Sequence, residues 1–194
     1  MKNITITLLY KINSPKGIRY PTTWPEFVEE ILNNGHKIAS KKNIGTLLFS
    51  MAEFKGGRRA KFIKKIYGMI LDIDGSSSVS AVREKLGDFE YIMYSTFSHR
   101  KRKGVEKFKV VLIFNEPYNP SDMSKRVNVL KKIFYYCDPS SFNLTQFQAL
   151  PNCPRSRQKL AFIEYNPGHP FNLSKLPIDK FLPQTEKKLA SIKI

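Results

Sequence analysis

The stretch KKIYGMILDIDG, residues 64–75, constrains the fold of this chain more than any other. From Ile66 to Leu71 apolar or small residues fill both alternating positions, so a strand here has no polar face to turn to water. Such a strand belongs inside a sheet that is covered on both sides. The run then closes on two acids. Residues i and i+2 of a strand share a face, so Asp72 and Asp74 project together with Ile73 behind them. Neighbouring carboxylates repel and raise each other's pKa unless a cation lies between them. Three readings follow. Asp74-Gly75 can be a plain strand-end turn. The pair can hold Mg²⁺ or Mn²⁺, which take oxygen ligands and leave positions for substrate phosphates. Or one acid can be the nucleophile of a phosphate-ester hydrolase.

The remaining segments supply the layers. NITITLLY reads as a first strand, and Thr23 caps a helix in PTTWPEFVEEILNNG, with Trp24 as core. IGTLLFSMAEF is apolar, and KGGRRAKFIKK is a flexible basic turn. After the acid pair, SSSVSAVREKLG reads as a serine-capped helix that stops at Gly87. FEYIMYSTFSH and EKFKVVLIF are strands joined by the basic turn RKRKG. MSKRVNVLKKIFYYC is a helix and QKLAFIEYNPG a strand. The interspersed order predicts a mixed α+β (α/β) class, with a largely antiparallel, RNA-recognition-like sheet. Residues 1–175 are expected to form one two-lobed core, and residues 176–194 a basic tail or linker.

Charge narrows the partners. There are 33 Lys+Arg against 16 Asp+Glu, a formal net charge of +17, which draws polyanions. No apolar run approaches the roughly 20 residues of a spanning helix, so no membrane role is expected. Cys137 and Cys153 alone make neither a zinc cluster nor a disulfide framework; they read as buried reduced thiols of a cytoplasmic protein. The cations cluster. Residues 41–65 hold eight bases, among them Arg58 and Arg59, against Glu53. Arg100, Lys101, Arg102, Lys103, Lys107 and Lys109 form a second group, and Arg155, Arg157 and Lys159 a third. These are candidate phosphate contacts of low sequence preference. Phe54, Phe62 and Phe108 are interleaved with them and read as core residues or as stacking platforms.

Among the three histidines, His99 stands out at the end of a strand next to the acid pair and before the basic turn. His36 and His169 read as loop residues. No HxH or HExxH pattern occurs. A third acid is sought elsewhere, and Asp138 is the candidate. It follows a helix, on the unfavourable side of the dipole, which points to a functional reason for it.

Taken in order, LDIDG, YSTFSH, KFKVVLIF and DPSSFNLTQFQALP resemble the motifs of the archaeo-eukaryotic primase (AEP) superfamily, most nearly its phage and plasmid primase–polymerase or replication-protein catalytic domains. TWPEF and MAEF sit where such proteins carry similar segments. The resemblance implies an N-terminal αβ lobe on an RNA-recognition-like lobe, with the site between them. It implies that Asp72, Asp74 and Asp138 are catalytic acids holding two divalent ions, Mg²⁺ or Mn²⁺. It implies that His99, with Ser98 or Thr96, contacts the phosphates of the incoming nucleotide. Lys107 and Lys109 stand where close relatives often have arginines, as point charges without the bidentate fork. The implied activity is template-directed nucleotidyl transfer, by a DNA primase or primer-extending DNA polymerase, in the replication of a mobile element. Its partners would be single-stranded or primer-template DNA and nucleoside triphosphates. No Walker-type motif occurs, so a helicase would be a separate domain or protein.

Two other readings remain. LDIDG also resembles the first motif of haloacid-dehalogenase-type phosphatases, with Asp72 as nucleophile and Asp74 as acid/base, but no later acidic pair is present. A non-catalytic nucleic-acid-binding replication initiator needs only the basic surface.

Overall fold

The computed structural model describes residues 2–42 and 46–178. The chain runs through β1 (Asn3–Leu9), β2 (Ile18–Thr23), α1 (Trp24–Asn34), β3 (Lys37–Ile38), β4 (Leu48–Ser50), β5 (Ala52–Phe54) and β6 (Ile63–Asp74). It continues through α2 (Val79–Leu86), β7 (Tyr91–Ser95), β8 (Lys107–Tyr118), α3 (Pro120–Ser124) and α4 (Val127–Ile133). Strands β9 (Gln148–Ala149), β10 (Asn152–Cys153) and β11 (Ile163–Asn166) follow. Two antiparallel sheets result, ordered β2-β1-β4-β9 and β11-β7-β8-β6-β5, with a short parallel pair of β3 and β10. The class is mixed α+β, as the sequence predicts.

The apolar run is strand β6, interior to the five-stranded sheet, with β8 on one side and β5 on the other. Both of its faces are covered. Met69, Leu71 and Ile73 join Phe108, Val110, Leu112, Tyr91 and Met93 in a cluster closed by Val82, Leu86, Leu130 and Phe134 of the α2 and α4 regions. On the opposite face, Ile70, Ile92, Val111 and Ile113 pack against Ile4, Ile6, Phe27 and Phe49 of the N-terminal lobe. A Cβ on Gly68 would lie 2.5 Å from the carbonyl oxygen of Leu112 and 3.1 Å from Met51 Cε, so only glycine fits where β6 passes this close to its neighbours.

Helix α1 begins on the predicted cap. The Thr23 hydroxyl accepts from the N–H of Glu26 at 3.3 Å, and Glu26 Oε2 accepts from the N–H of Thr23 at 2.9 Å. Trp24 is buried, and its indole N–H donates to Glu90 at 2.7 Å, tying this lobe to the start of β7. Thr23→Ala is expected to cost about 1 kcal/mol, read as a lowered midpoint in urea with an unchanged slope.

Two expectations need correction. The helix predicted from Met123 to Cys137 is broken into α3 and α4, and it ends at Ile133. The break lies at Arg126, whose backbone is not helical (φ −123°, ψ 4°) and whose guanidinium bonds the carbonyls of Asp122 and Leu176. Phe134 then leaves helical geometry and is buried against Tyr136 and Phe171. Of the three serines after Gly75, Ser78 is the N-cap of α2, while Ser76 donates instead to the carbonyl of Tyr136. Most of the tail expected at 176–194 lies outside the described residues. Among the described residues, no helix is long and apolar enough to cross a membrane.

Candidate active site

The site is the place where one face of the five-stranded sheet changes from apolar to charged. Three successive rungs cross β7, β8 and β6. The first is Ile92, Val111 and Ile70, buried under the N-terminal lobe. The second is Tyr94, Lys109 and Asp72, and the third sets Lys107 opposite Asp74. Directly opposed residues in an antiparallel pair have their Cβ atoms about 5 Å apart, close enough for ion pairs. Lys109 Nζ lies 2.5 Å from Asp72 Oδ2, and Lys107 Nζ lies 2.6 Å from Asp74 Oδ1.

Burial falls off along the rungs. The Lys109 side chain is 8% exposed and Asp72 26%, whereas Asp74 is 57% exposed. Burial lowers the pKa of the Lys109 ammonium, and the facing Asp72 carboxylate opposes that shift. The Tyr94 phenol is held far above its ordinary value by burial and by the charge of Asp72, and it donates to the carbonyl of Ala149 at 2.8 Å. Gly75, at φ +86°, turns the chain off the strand directly after Asp74.

Asp138 reaches the acid pair through the main chain. Its N–H donates to the carbonyl of Asp72 at 2.7 Å, and Ser141 Oγ accepts from the N–H of Asp72 at 2.9 Å. Asp138 is not the end of a helix, as the sequence reading had it. It caps the start of a 3-10 turn, Pro139–Phe142, and its carboxylate accepts from the N–H of Ser140 at 2.7 Å. Hydrogen bonds from Ser140 hold this carboxyl below its ordinary range. The dipole argument for Asp138 therefore lapses, because the acid sits at the favourable end of its turn.

Asp72, Asp74 and Asp138 line one cavity of about 270 Å³ together with Lys107, Lys109 and Ser98. Their oxygens are the donor chemistry that Mg²⁺ or Mn²⁺ prefers. Two of the three carboxylates are already answered by ammonium groups, and among the described residues no three acidic, histidine or cysteine groups are clustered closely enough to hold a metal ion. The oxygens are of the type a hard divalent cation takes, and an ion binding them would have to draw the three carboxylates together and displace Lys107 and Lys109.

His99 is placed differently. It is buried, does not line the cavity, and stands behind its wall with the ring edge-on to Phe162 at 5.4 Å. Its Nδ1 lies 3.0 Å from the carbonyl oxygen and 3.1 Å from the nitrogen of Lys107, so either tautomer ties it to the start of β8. Burial, first of all, lowers its pKa. Thr96, Phe97 and Ser98, just before it, do line the cavity.

The basic candidates divide in two. Arg59, Arg100, Lys101, Arg102, Lys103 and Arg155 are exposed, with Arg100 paired to Glu106 at 2.8 Å. Arg58 and Arg157 are turned inward. Arg157 donates to the carbonyl of Phe97 at 2.8 Å. Arg58 donates to the carbonyls of Ile12 and Ser14 and lies over the ring of Phe147. Phe54 and Phe108 are core residues, and Phe62 is partly buried against that core. Lys42, one of the eight bases of residues 41–65, lines the cavity, as do Ile12, Phe147 and Gln148, which sequence reasoning missed. Only the last two lie in a quoted motif.

No known family profile matches this chain, and no curated protein does. Among solved structures it is similar to the AEP domain of the primase-polymerase of cyanophage S-2L, with a TM-score of 0.52 and 15% sequence identity, 89% of each chain being covered. At that identity the likeness concerns the fold alone: this chain has an AEP-like fold.

Proposed function

We propose that this chain is a template-directed nucleotidyltransferase, a primase or primer-extending DNA polymerase. The observation that carries the reading is the convergence of Asp72, Asp74 and Asp138 on one cavity with two lysines, within an AEP-like fold. Asp72 and Asp74 on β6 and Asp138 at its turn would hold Mg²⁺ or Mn²⁺. Ions bound there would activate the 3′-hydroxyl and neutralise the triphosphate of the incoming nucleotide. Lys107 and Lys109, released from the carboxylates, would be free to pair with the phosphates of that nucleotide. Ser98, with Thr96 and Phe97, lines the same cavity. His99 fits a supporting role here, holding Lys107 and the segment from Thr96 to Ser98 in place through its bond to β8. The exposed bases Arg59, Arg100, Lys101, Arg102, Lys103 and Arg155 would hold template DNA through its phosphates.

The test is incorporation of labelled nucleotide on a primed and on an unprimed single-stranded template, with Mg²⁺ or Mn²⁺. Template-dependent products that vanish with EDTA are expected. A thermal melt of the same protein should rise on adding Mn²⁺, and Asp72→Ala/Asp74→Ala should remove that rise. One observation favours a second reading: both β6 acids are already neutralised by lysines. On that reading the chain is a nucleic-acid-binding initiator whose acids are structural. DNA binding that ignores EDTA, with no incorporation and no Mn²⁺ effect on melting, would favour it.

A further inference from the structure

The loop between β1 and β2, residues 10–17 (YKINSPKG), carries large exposed side chains. Tyr10 is 68% exposed and Ile12 58%, and Lys11 and Lys16 beside them are exposed as well. No acid precedes Glu26 in the chain, so the whole hairpin is uniformly basic. Tyr10 and Ile12 thus set exposed apolar faces among the positive charges of Lys11 and Lys16, the combination that single-stranded nucleic acid recognises.

The loop is also fixed in place. Arg58 donates to the carbonyls of Ile12 and Ser14 at the loop's tip, and its guanidinium lies 5.0 Å from the centre of the Phe147 ring. Phe147 is a wall of the acid-lined cavity, and Ile12 itself lines that cavity. Arg58 is thus a strut between the hairpin and the cavity wall. It holds the half-exposed Ile12 at the edge of the cavity.

We propose that this loop is a docking surface for single-stranded DNA. Tyr10 and Ile12 offer apolar faces to unstacked bases, Lys11 and Lys16 meet the phosphates, and the strand is led past Ile12 towards Asp72 and Asp74. The chemistry favours a single strand over a duplex, because bases are free to lie on Tyr10 and Ile12 only when they are unstacked from each other. The inference deepens the proposed function and rests on it for the identity of the strand.

The experiment is fluorescence anisotropy with a labelled oligothymidylate and, separately, a labelled duplex of equal length. The wild type is compared with Tyr10→Ala/Ile12→Ala, Tyr10→Phe and Lys11→Ala/Lys16→Ala. All of these side chains are exposed, so thermal melts should match the wild type. The Tyr10→Ala/Ile12→Ala pair is expected to weaken single-strand binding roughly tenfold or more by loss of stacking, with duplex binding little changed. Tyr10→Phe keeps the ring and should bind as the wild type does. Lys11→Ala/Lys16→Ala should flatten the dependence of log K on log salt by about 1.4, the equivalent of two phosphates. Wild-type single-strand affinity in both double variants would overturn the inference, as would an equal loss on duplex. The outcomes separate the two claims. Unaltered binding in an enzyme that does incorporate nucleotide defeats the loop alone. Weakened binding in a protein that never incorporates nucleotide supports the loop and defeats the polymerase.

Discussion

Asp72→Ala/Asp74→Ala is expected to lower template-directed incorporation by about a thousandfold or more. Several kcal/mol of charge stabilisation at the reacting phosphate would be lost, and each 1.36 kcal/mol is worth about tenfold. Labelled-nucleotide incorporation measures it, and full activity in the double variant would refute the proposed mechanism. The variant also carries a folding cost that must be separated from the chemical one. Lys109 is nearly enclosed and has Asp72 as its counter-ion at 2.5 Å. Removing one partner of such a pair leaves an uncompensated charge, at about 3–5 kcal/mol for full burial. The partial exposure of Asp72 brings the expectation to the low end, about 3 kcal/mol. Adding Lys109→Met to Asp72→Ala should restore most of the stability in urea, because an apolar chain of similar length fills the same rung. It should restore none of the activity. Recovery of stability without catalysis would separate the ion pair's structural part from the acid's chemical part.

Phe108→Ala is expected to cost the fold about 3–5 kcal/mol. Phe108 has no exposed surface and sits between Lys107 and Lys109 on β8, pointing to the opposite face. It packs in the cluster with Leu71 and Ile73, whose neighbours on β6 are the two acids. The cavity left by truncation lies directly behind the charged rungs. Urea denaturation should show the midpoint fall, and Phe108→Leu, which fills part of the space, should cost less. Equal losses for alanine and leucine would mean that ring packing against Phe162, 6.4 Å away, matters more than volume.

How far this was legible in the sequence depends on the range of the interactions. The run ending at Asp74 announced an interior strand and a shared carboxylate face because period-two alternation is local. The Thr23 and Ser78 caps were legible for the same reason. Opposing Lys107 and Lys109 to the acids took the antiparallel register of β6 and β8, which no local pattern fixes. Asp138, sought as a third acid, lines the cavity of the acid pair, but the helix-end argument for it fails. The helix before it stops at Ile133, because Phe134 turns in to the core and Arg126 reaches for distant carbonyls. Charge or motif alone makes Arg58, Arg157 and His99 look like ligands. Their side chains are committed to Ile12, Phe97 and Lys107, contacts across 46, 60 and 8 residues of chain. Ile12 had no local signal at all. Its place at the cavity follows from the anchoring of the hairpin by Arg58.

The antiparallel sheet has a consequence for how the chain reaches its working state. Its longest ladders join β6 to β8 and β8 to β7, and the turn bearing Asp138 meets Asp72 only from 66 residues away. Sheets dominated by such distant pairings fold on a scale of roughly milliseconds to seconds, because ring closure must precede the contacts that reward it. The three carboxylates therefore come together late, when most of the chain has already been ordered. A half-made polypeptide on the ribosome, ending before Asp138, carries the basic hairpin and the strongly positive turns but no complete acid set. In such a nascent chain, attraction to polyanions precedes any capacity for chemistry.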